Sequence, residues 1–337
     1  MELTTVWFLL IALLWTGYFF LEGFDFGVGA LLPVLGRNDT ERRVLINTIG
    51  PVWDGNEVWL VTAIGGTFAA FPDWYATLLS AFYLPMLLIL VALILRALAF
   101  DYRGKRPEAA WKRRWDLCIV FGSVTPAFGW GFVFGNLIAG LPIGAGHEFT
   151  GSLASLFTPA GLLGGLTTLG LSVLHAAVFL ALKTRDELRF RARKLAGRVA
   201  FGAIAVTAVA VIATSLGSGK LGAWLTAAGT LVALFAAVLA NARGREGWAF
   251  LSTGTAIVLT AATVFTVLFP HVAPSSITDA NSLTTTNSAA TPYPLRIMSW
   301  TALAFTPLVL LYQSWTYWVF RKRIGVGDIP APVAVPA

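Results

Sequence analysis

Apolar runs long enough to cross a lipid bilayer recur along this 337-residue chain, and that recurrence limits the fold more than any motif does. A span takes about 20 predominantly apolar residues, because the hydrocarbon core is about 30 Å thick and a helix rises about 1.5 Å per residue. Nine stretches qualify: 5–33, 44–70, 75–100, 115–141, 157–182, 199–218, 221–241, 249–269 and 295–320. Length alone would allow two soluble domains. The composition excludes that reading, since 57% of residues are hydrophobic and only 12% charged, about half the charged share of soluble domains. Lipid offers no hydrogen bonds, so each span must satisfy its own backbone as a helix. The expected fold is an all-α polytopic membrane protein of about nine transmembrane helices.

The net charge is +7. A basic chain can bind nucleic acid, but neither a basic face nor a nucleic-acid motif is present. The bases lie instead in alternate connections: 37–43, the third-to-fourth connection with its helix end from Arg96 to Arg114, 183–198, "NARGRE", and the tail after the ninth span. Together these hold 22 of the 24 Lys and Arg, leaving only Lys220 and Arg296 on the other side. The positive-inside rule then puts the N-terminus outside and the C-terminus in the cytoplasm. "MELTTVWFLLIALLW" has no basic start and no small-residue cleavage site, so it reads as a retained first span. On the outer side, "FPDWY" is short, and 270–294 contains the low-complexity "NSLTTTNSAATPYP", expected to be a flexible surface segment. The tail "GVGDIPAPVAVPA" is expected to be disordered, and "GSGK" to be a tight turn.

Against this apolar background stands "GPVWDGNEVWLVTAIGG" (50–66). An ionisable group costs about 2.5–3.5 kcal/mol at the centre of a span, and so marks function by default. At about 1.5 Å per residue, Asp25 lies about 12 Å from the inner end of the first span, Asp54 about 15 Å into the second and Glu57 about 20 Å. Glu22 adds an acid on the first helix, Asp101 stands at the inner end of the third span, and Asp116 stands at the inner mouth of the fourth. Spans four to nine have no acid in their interiors. Positions three apart share a helix face, so Asp54 is expected to point with Glu57, and Glu22 with Asp25, inward. Gly23, Gly27 and Gly29 on the first helix, and Gly55, Gly65 and Gly66 on the second, are expected to admit close neighbours. Pro85, Pro126 and Pro307 are expected to kink their helices. Buried unpaired carboxyls exchange protons near neutral pH, which makes the ladder a candidate proton file. The competing structural reading pairs Arg96 with Asp25 or Asp54 and lets Asn56 cap the remainder.

Redox ligands are missing. Of His147, His175 and His271, only His175 lies in a span, and it reads as a hydrogen-bonded packing residue. No facing His or Met pair, CxxCH, GxGxxG or Walker loop occurs. Cys118 is the single cysteine, so an intramolecular disulfide and a thiolate cluster are excluded, and it reads as a small buried hydrophobe. No haem ligand and no metal ligand is assigned to this chain.

The stretches "LEGFDFGVGALLP" (21–33), "GPVWDGNEVWL" (50–60), "FPDWYATLLSAFYLPMLLILVALILRALAFDYR" (71–103) and "FGSVTPAFGWGFVFGNLIAGLPI" (121–143) closely resemble the smaller major subunit, subunit II, of cytochrome bd-type quinol oxidases. The motifs cover roughly the first 145 residues. The resemblance implies two four-helix bundles plus one peripheral helix, divided as 1–145, 146–270, an outer loop 271–294, the ninth helix 295–320 and a cytoplasmic tail 321–337. It implies a complex in the bacterial inner membrane that oxidises quinol and reduces dioxygen to water with cytoplasmic protons, electrogenic without pumping. The haems b and d would belong to the partner, subunit I. Asp54 then looks like the carboxylate of the proton path and Asp101 like the acid at its mouth, while Asp25 and Glu57 match motif positions of less defined role. Trp59 resembles a tryptophan near the entrance of an oxygen channel, with Trp53 packing beside it; Asn56, Arg96 and Glu22 are expected to be structural support. Some family members hold a quinone in this subunit as a filler, and 150–337 carries no motif for one. Small accessory subunits, lipid contacts and the identity of the quinol are left open. Two other classes remain at this point: a stand-alone proton-coupled transporter, which would need polar access to both faces, and a scaffold whose acids are only ion pairs.

Overall fold

The computed structural model describes residues 2–330. It is built of helices: α1 (Leu3–Leu35), α2 (Asp39–Ile49), α3 (Trp53–Ala70), α4 (Pro72–Ala81), α5 (Tyr83–Tyr102), α6 (Ala109–Ala139), α7 (Pro159–Lys183), α8 (Asp186–Ser218), α9 (Leu221–Ala242), α10 (Glu246–Leu268) and α11 (Pro292–Val319). Among the described residues, eight helices are long and apolar enough to cross a membrane. The second expected span is not among them, because Asp54, Asn56 and Glu57 dilute the first half of α3.

Two expected spans are broken rather than continuous. The stretch 44–70 divides at Gly50–Val52 into α2 and α3, since Pro51 has no N–H to continue a helix and disfavours helical geometry in the residue before it. The stretch 75–100 divides at Phe82, three residues ahead of Pro85, into α4 and α5. Pro126 and Pro307 instead lie within the unbroken helices α6 and α11. The turn between α8 and α9 is tight as expected, with Gly219 at φ +63°, a left-handed geometry that glycine adopts without strain.

α1 runs through the centre, packed on α3, α6, α7 and α10. α5 packs on α6, and α7 to α10 pack among themselves. α11 stays at the periphery with only Leu295 buried, and meets α1 and α3. Two of the three α1 glycines work as anticipated: a Cβ on Gly27 would lie 2.1 Å from the Ser172 carbonyl oxygen of α7, and one on Gly29 would lie 2.0 Å from Ser123 Oγ of α6, whereas one on Gly23 would make only ordinary contacts, the nearest 3.7 Å away on Ile257. The expectation fails for α3, where Gly55 and Gly65 have nothing within 4 Å and Gly66 makes only ordinary contacts. The buried stripe of α3 is Asn56, Leu60, Ala63, Thr67 and Ala70, and those two glycines lie off it.

Connections assigned to the same side by their charges do meet one another. At one end, Arg37 pairs with Glu187 at 2.9 Å, Arg191 with Glu41 at 2.7 Å, Arg189 with Glu246 at 2.8 Å, and Arg185 with Asp328 of the tail. Deeper at that end, Arg103 reaches Asp116 at 2.5 Å and Asp39 at 2.9 Å, Lys112 reaches Asp39 at 2.8 Å, and Arg42 reaches Asp116 at 2.7 Å. At the other end, Leu141 donates its N–H to the Pro274 carbonyl and Ala290 to that of Ala70, both at 2.9 Å.

Four further expectations are corrected. The segment 270–294 is not a flexible strand of surface. It pairs β1 (His271–Ala273) with β2 (Leu283–Thr284) and buries Val272, Ala273, Leu283 and Ser288, because its Ser, Thr and Asn side chains satisfy its own backbone. The tail is ordered through residue 330, held by Asp328 on Arg185 and by Arg43 on the Pro330 carbonyl; residues 331–337 lie outside the described residues. Arg96, counted above with loop bases, is 1% exposed inside the bundle. Cys118 is only half-buried.

Candidate functional site

The acids divide into an inner pair and an outer set. Glu22 and Asp25 are both completely buried on α1. Arg96 of α5 donates from Nη1 to Glu22 Oε2 at 3.0 Å, and its guanidinium lies 4.8 Å from the centre of the Phe26 ring and 5.4 Å from that of Phe100. These faces cushion the cation without neutralising it. Asn56 of α3 donates from Nδ2 to Asp25 Oδ2 at 2.7 Å. The structural expectation is therefore corrected in its pairing: Arg96 takes Glu22, neither Asp25 nor Asp54, while Asn56 does cap an acid. Glu22 Oε1, Asp25 Oδ1, and Arg96 Nε and Nη2 are buried without a partner among the described residues. Buried polar groups of this kind are ordinarily bridged by internal water.

Asp54, expected to point inward with Glu57, is exposed on the surface of the chain, and Glu57 is half-buried. The reason is angular. The face of α3 turned to α1 is set by Asn56, and a residue two positions away lies about 200° around a helix. Asp54 occupies the first turn of α3, where the free N–H groups and helix dipole favour an anion. Asp101 is exposed for the same reason, two positions beyond buried Ala99 on α5.

Trp59 is half-buried, and its ring lies flush on α1, where a Cβ on Gly17 would come within 2.2 Å of it. Its indole donates to Gln313 Oε1 of α11 at 2.9 Å; Gln313 Nε2 donates to Asn56 Oδ1 at 3.2 Å, and the Tyr317 hydroxyl donates to the same oxygen at 2.8 Å. Trp53 packs against Phe100 at 5.1 Å. Sequence reasoning missed Gln313 and Tyr317. The available signal was the lone amide in the apolar run "LVLLYQSWTYWV" (308–319), since an amide in lipid needs a partner.

His175 is completely buried, with Nδ1 2.7 Å from Thr253 Oγ1 and its ring stacked 4.5 Å from that of Phe250. Phe20 and Phe24 flank it, so its surroundings are those of a packing residue. Among the described residues, no three His, Cys, Asp or Glu side chains converge to hold a metal ion.

A buried charged cluster inside a bundle of span-length helices, with exposed carboxylates on adjacent helices, defines a polytopic membrane protein with a polar site among its first spans. The sequence profile described as cytochrome bd terminal oxidase subunit II matches residues 3–320, and the chain belongs to that family. It is 42% identical over 330 residues to cytochrome bd ubiquinol oxidase subunit 2 of Bacillus subtilis, covering 96% of this chain and 97% of the relative. It is 35% identical over 363 residues to cytochrome bd-I ubiquinol oxidase subunit 2 of Escherichia coli K12, covering 96% of each. Its fold is similar to a chain in the structure of the bd oxidase from Geobacillus thermodenitrificans, with a TM-score of 0.78 at 17% identity, over 96% of this chain and all of that one. The chain is thus a multi-pass bacterial inner-membrane protein of the terminal oxidase class. Family membership favours the oxidase subunit over the stand-alone transporter.

Proposed function

We propose that this chain carries protons from the cytoplasm toward the haems of a subunit I partner, in a complex that oxidises two quinols to quinones while reducing dioxygen to two waters. The observation that carries the reading is the Asp25 carboxylate: completely buried, held through Oδ2 by Asn56, with Oδ1 unpartnered among the described residues. A side chain sealed in this way has one oxygen fixed and one available to a proton. Asp101 forms the mouth and Asp54 the station on the face toward the partner, with Glu57 and Asp25 behind it. The exposure of Asp54 and Asp101 supports this assignment, because a carboxylate on a membrane-facing surface is stable only where water or another subunit covers it.

In this reading the Glu22–Arg96 pair is the fixed anion and cation that leave Asp25 as the group free to titrate. The haems b and d supply electron transfer and oxygen reduction from the partner. This chain binds no redox centre, orients carboxyls and excludes bulk water. Trp59 and Trp53 line a route for oxygen. Residues 1–145 form the bundle that carries the path, 146–270 the second bundle, 271–294 the outer loop, 295–320 the peripheral helix and 321–337 the cytoplasmic tail, with the base-rich end inside.

The test is the purified complex bearing Asp54→Asn, Asp101→Asn or Asp25→Asn. Haem content at the wild-type level with quinol oxidase turnover reduced at least tenfold supports conduction. Full turnover with full haem in all three removes the path, and loss of haem shows that the acids serve assembly.

A further inference from the structure

The contacts around Asn56 form a chain of hydrogen bonds whose direction can be derived. An indole N–H only donates, and an ionised carboxylate only accepts, whereas an amide does both. Amide orientation is ordinarily ambiguous from heavy-atom positions, but here the indole end is fixed and orients the rest. Trp59 must donate, so Gln313 presents Oε1 to it and Nε2 to Asn56. Asn56 then presents Oδ1 to Gln313 and Tyr317, and Nδ2 to Asp25. Every donor in the series points toward Asp25. The series spans three helices, α11, α3 and α1, and two of its four supporting side chains belong to the otherwise weakly attached α11.

We infer that Gln313 and Tyr317 of α11, with Trp59, are positioning residues that lock the Asn56 amide with its N–H toward Asp25 and so set where that carboxylate takes up and gives off its proton. The inference rests on the proton-path reading for its functional consequence, and on the hydrogen-bond geometry alone for the positioning. It assigns Trp59 a polar duty in place of, or beside, an oxygen route, and gives the peripheral helix a reason to be attached at this height. If the two donors to Asn56 Oδ1 are removed, the amide is free to turn its oxygen to Asp25, which then favours the protonated carboxyl. The charged and titratable groups set around Asp25 are Glu22 on its own helix, Glu57 on α3, Arg96 on α5 and Tyr317 on α11. α6 and α7 face this stretch of α1 with Ser123 and Ser172, which carry no charge.

The experiment uses the purified oxidase complex with Tyr317→Phe, Gln313→Met and the double variant, and with Asp25→Asn as reference. Three quantities are read: haem content, the pH profile of quinol oxidase turnover, and the infrared carboxyl band that disappears in Asp25→Asn. One charge-assisted hydrogen bond corresponds to a shift of about one pH unit. With haem retained, the double variant is expected to move the Asp25-dependent limb of the profile about one unit toward alkaline pH and to displace the Asp25 band, with smaller changes in each single variant. Tyr317→Phe removes one oxygen atom and no packing volume, so it decides the matter if the Gln313 variants fail to assemble. An unchanged band and profile in haem-replete Tyr317→Phe and in the double variant would overturn the inference. Full turnover in Asp25→Asn would remove Asp25 from the proton path instead, while a displaced band in Tyr317→Phe would still support positioning.

Discussion

Arg96 and Glu22 form an ion pair at 3.0 Å with side chains 1% and 0% exposed, between α5 and α1. Burying both charges costs free energy that their attraction only roughly offsets, whereas removing one partner strands the other. Glu22→Leu and Arg96→Met are each expected to destabilise the subunit by about 3–5 kcal/mol, and Glu22→Leu/Arg96→Met to recover much of that loss. Thermal unfolding of the detergent-solubilised complex, followed through haem release, checks the order of the variants. Equal damage from the double and single changes would refute a simple paired role.

The exposure of Asp54 separates its contribution to stability from its contribution to turnover. Asp54→Asn removes no side-chain hydrogen bond or ion pair among the described residues, so the melting temperature of the complex should stay within about 2 °C of wild type, matching a change below about 0.5 kcal/mol. Turnover should fall nonetheless, by the factor stated for the proton path. A large drop in melting temperature would mean that Asp54 holds the partner in place.

Helix contact predicts opposite outcomes at two glycines. A side chain on Gly27 would collide with the Ser172 backbone oxygen, so Gly27→Val is expected to cost about 1–3 kcal/mol by overpacking. A Cβ on Gly202 of α8 would meet nothing within 4 Å, so Gly202→Ala should leave stability within about 1 kcal/mol of wild type. Expression level and thermal unfolding of the complex would measure both.

The lattice of ion pairs that joins Asp39 and Asp116 to Arg42, Arg103 and Lys112 should respond to acid. Burial raises the proton affinity of Asp39, but its hydrogen bond with Lys112 and the Arg103 charge outweigh that, and hold its carboxyl below the usual carboxylate range. A group whose folded pKa is depressed contributes stability above its unfolded value, about 3.9, and loses it as the pH falls through the folded value. The lattice should therefore be fully formed at neutral pH and weaken below about pH 4. Asp39→Asn should flatten that acid limb, with an effect at pH 7 of no more than about 1 kcal/mol because the site is partly open to water. An unchanged acid limb in Asp39→Asn would place the sensitivity elsewhere.

Much of this arrangement was legible in the residues. Span positions, the alternation of charged connections and the small faces of Gly27 and Gly29 follow from transfer energies and helix periodicity, which act locally. Asn56 as the cap of an acid was also readable, since few groups could serve an acid at that depth. The partner of Arg96 was not readable, because Glu22, Asp25 and Asp54 were all within reach of a long side chain. The order within 270–294 escaped for a different reason: polar low-complexity sequence is usually solvated, and its internal side-chain bonds make a structured cap together with contacts to Leu141, Ile143 and Ala70 that are distant in sequence.

The order of residues was enough to establish a helical membrane chain with acids confined to its first three spans, because the cost of a charge in lipid is incurred residue by residue. Which of those acids face inward was left to the packing of the helices. The break at Pro51 sets the start of α3, the contact of Asn56 with α1 sets its rotation, and from those two facts Asp54 turns outward while Asp25 is sealed inside. Rotation of a helix about its axis depends on what it packs against, and so Gln313 and Tyr317, 257 and 261 residues from Asn56 along the chain, became its neighbours.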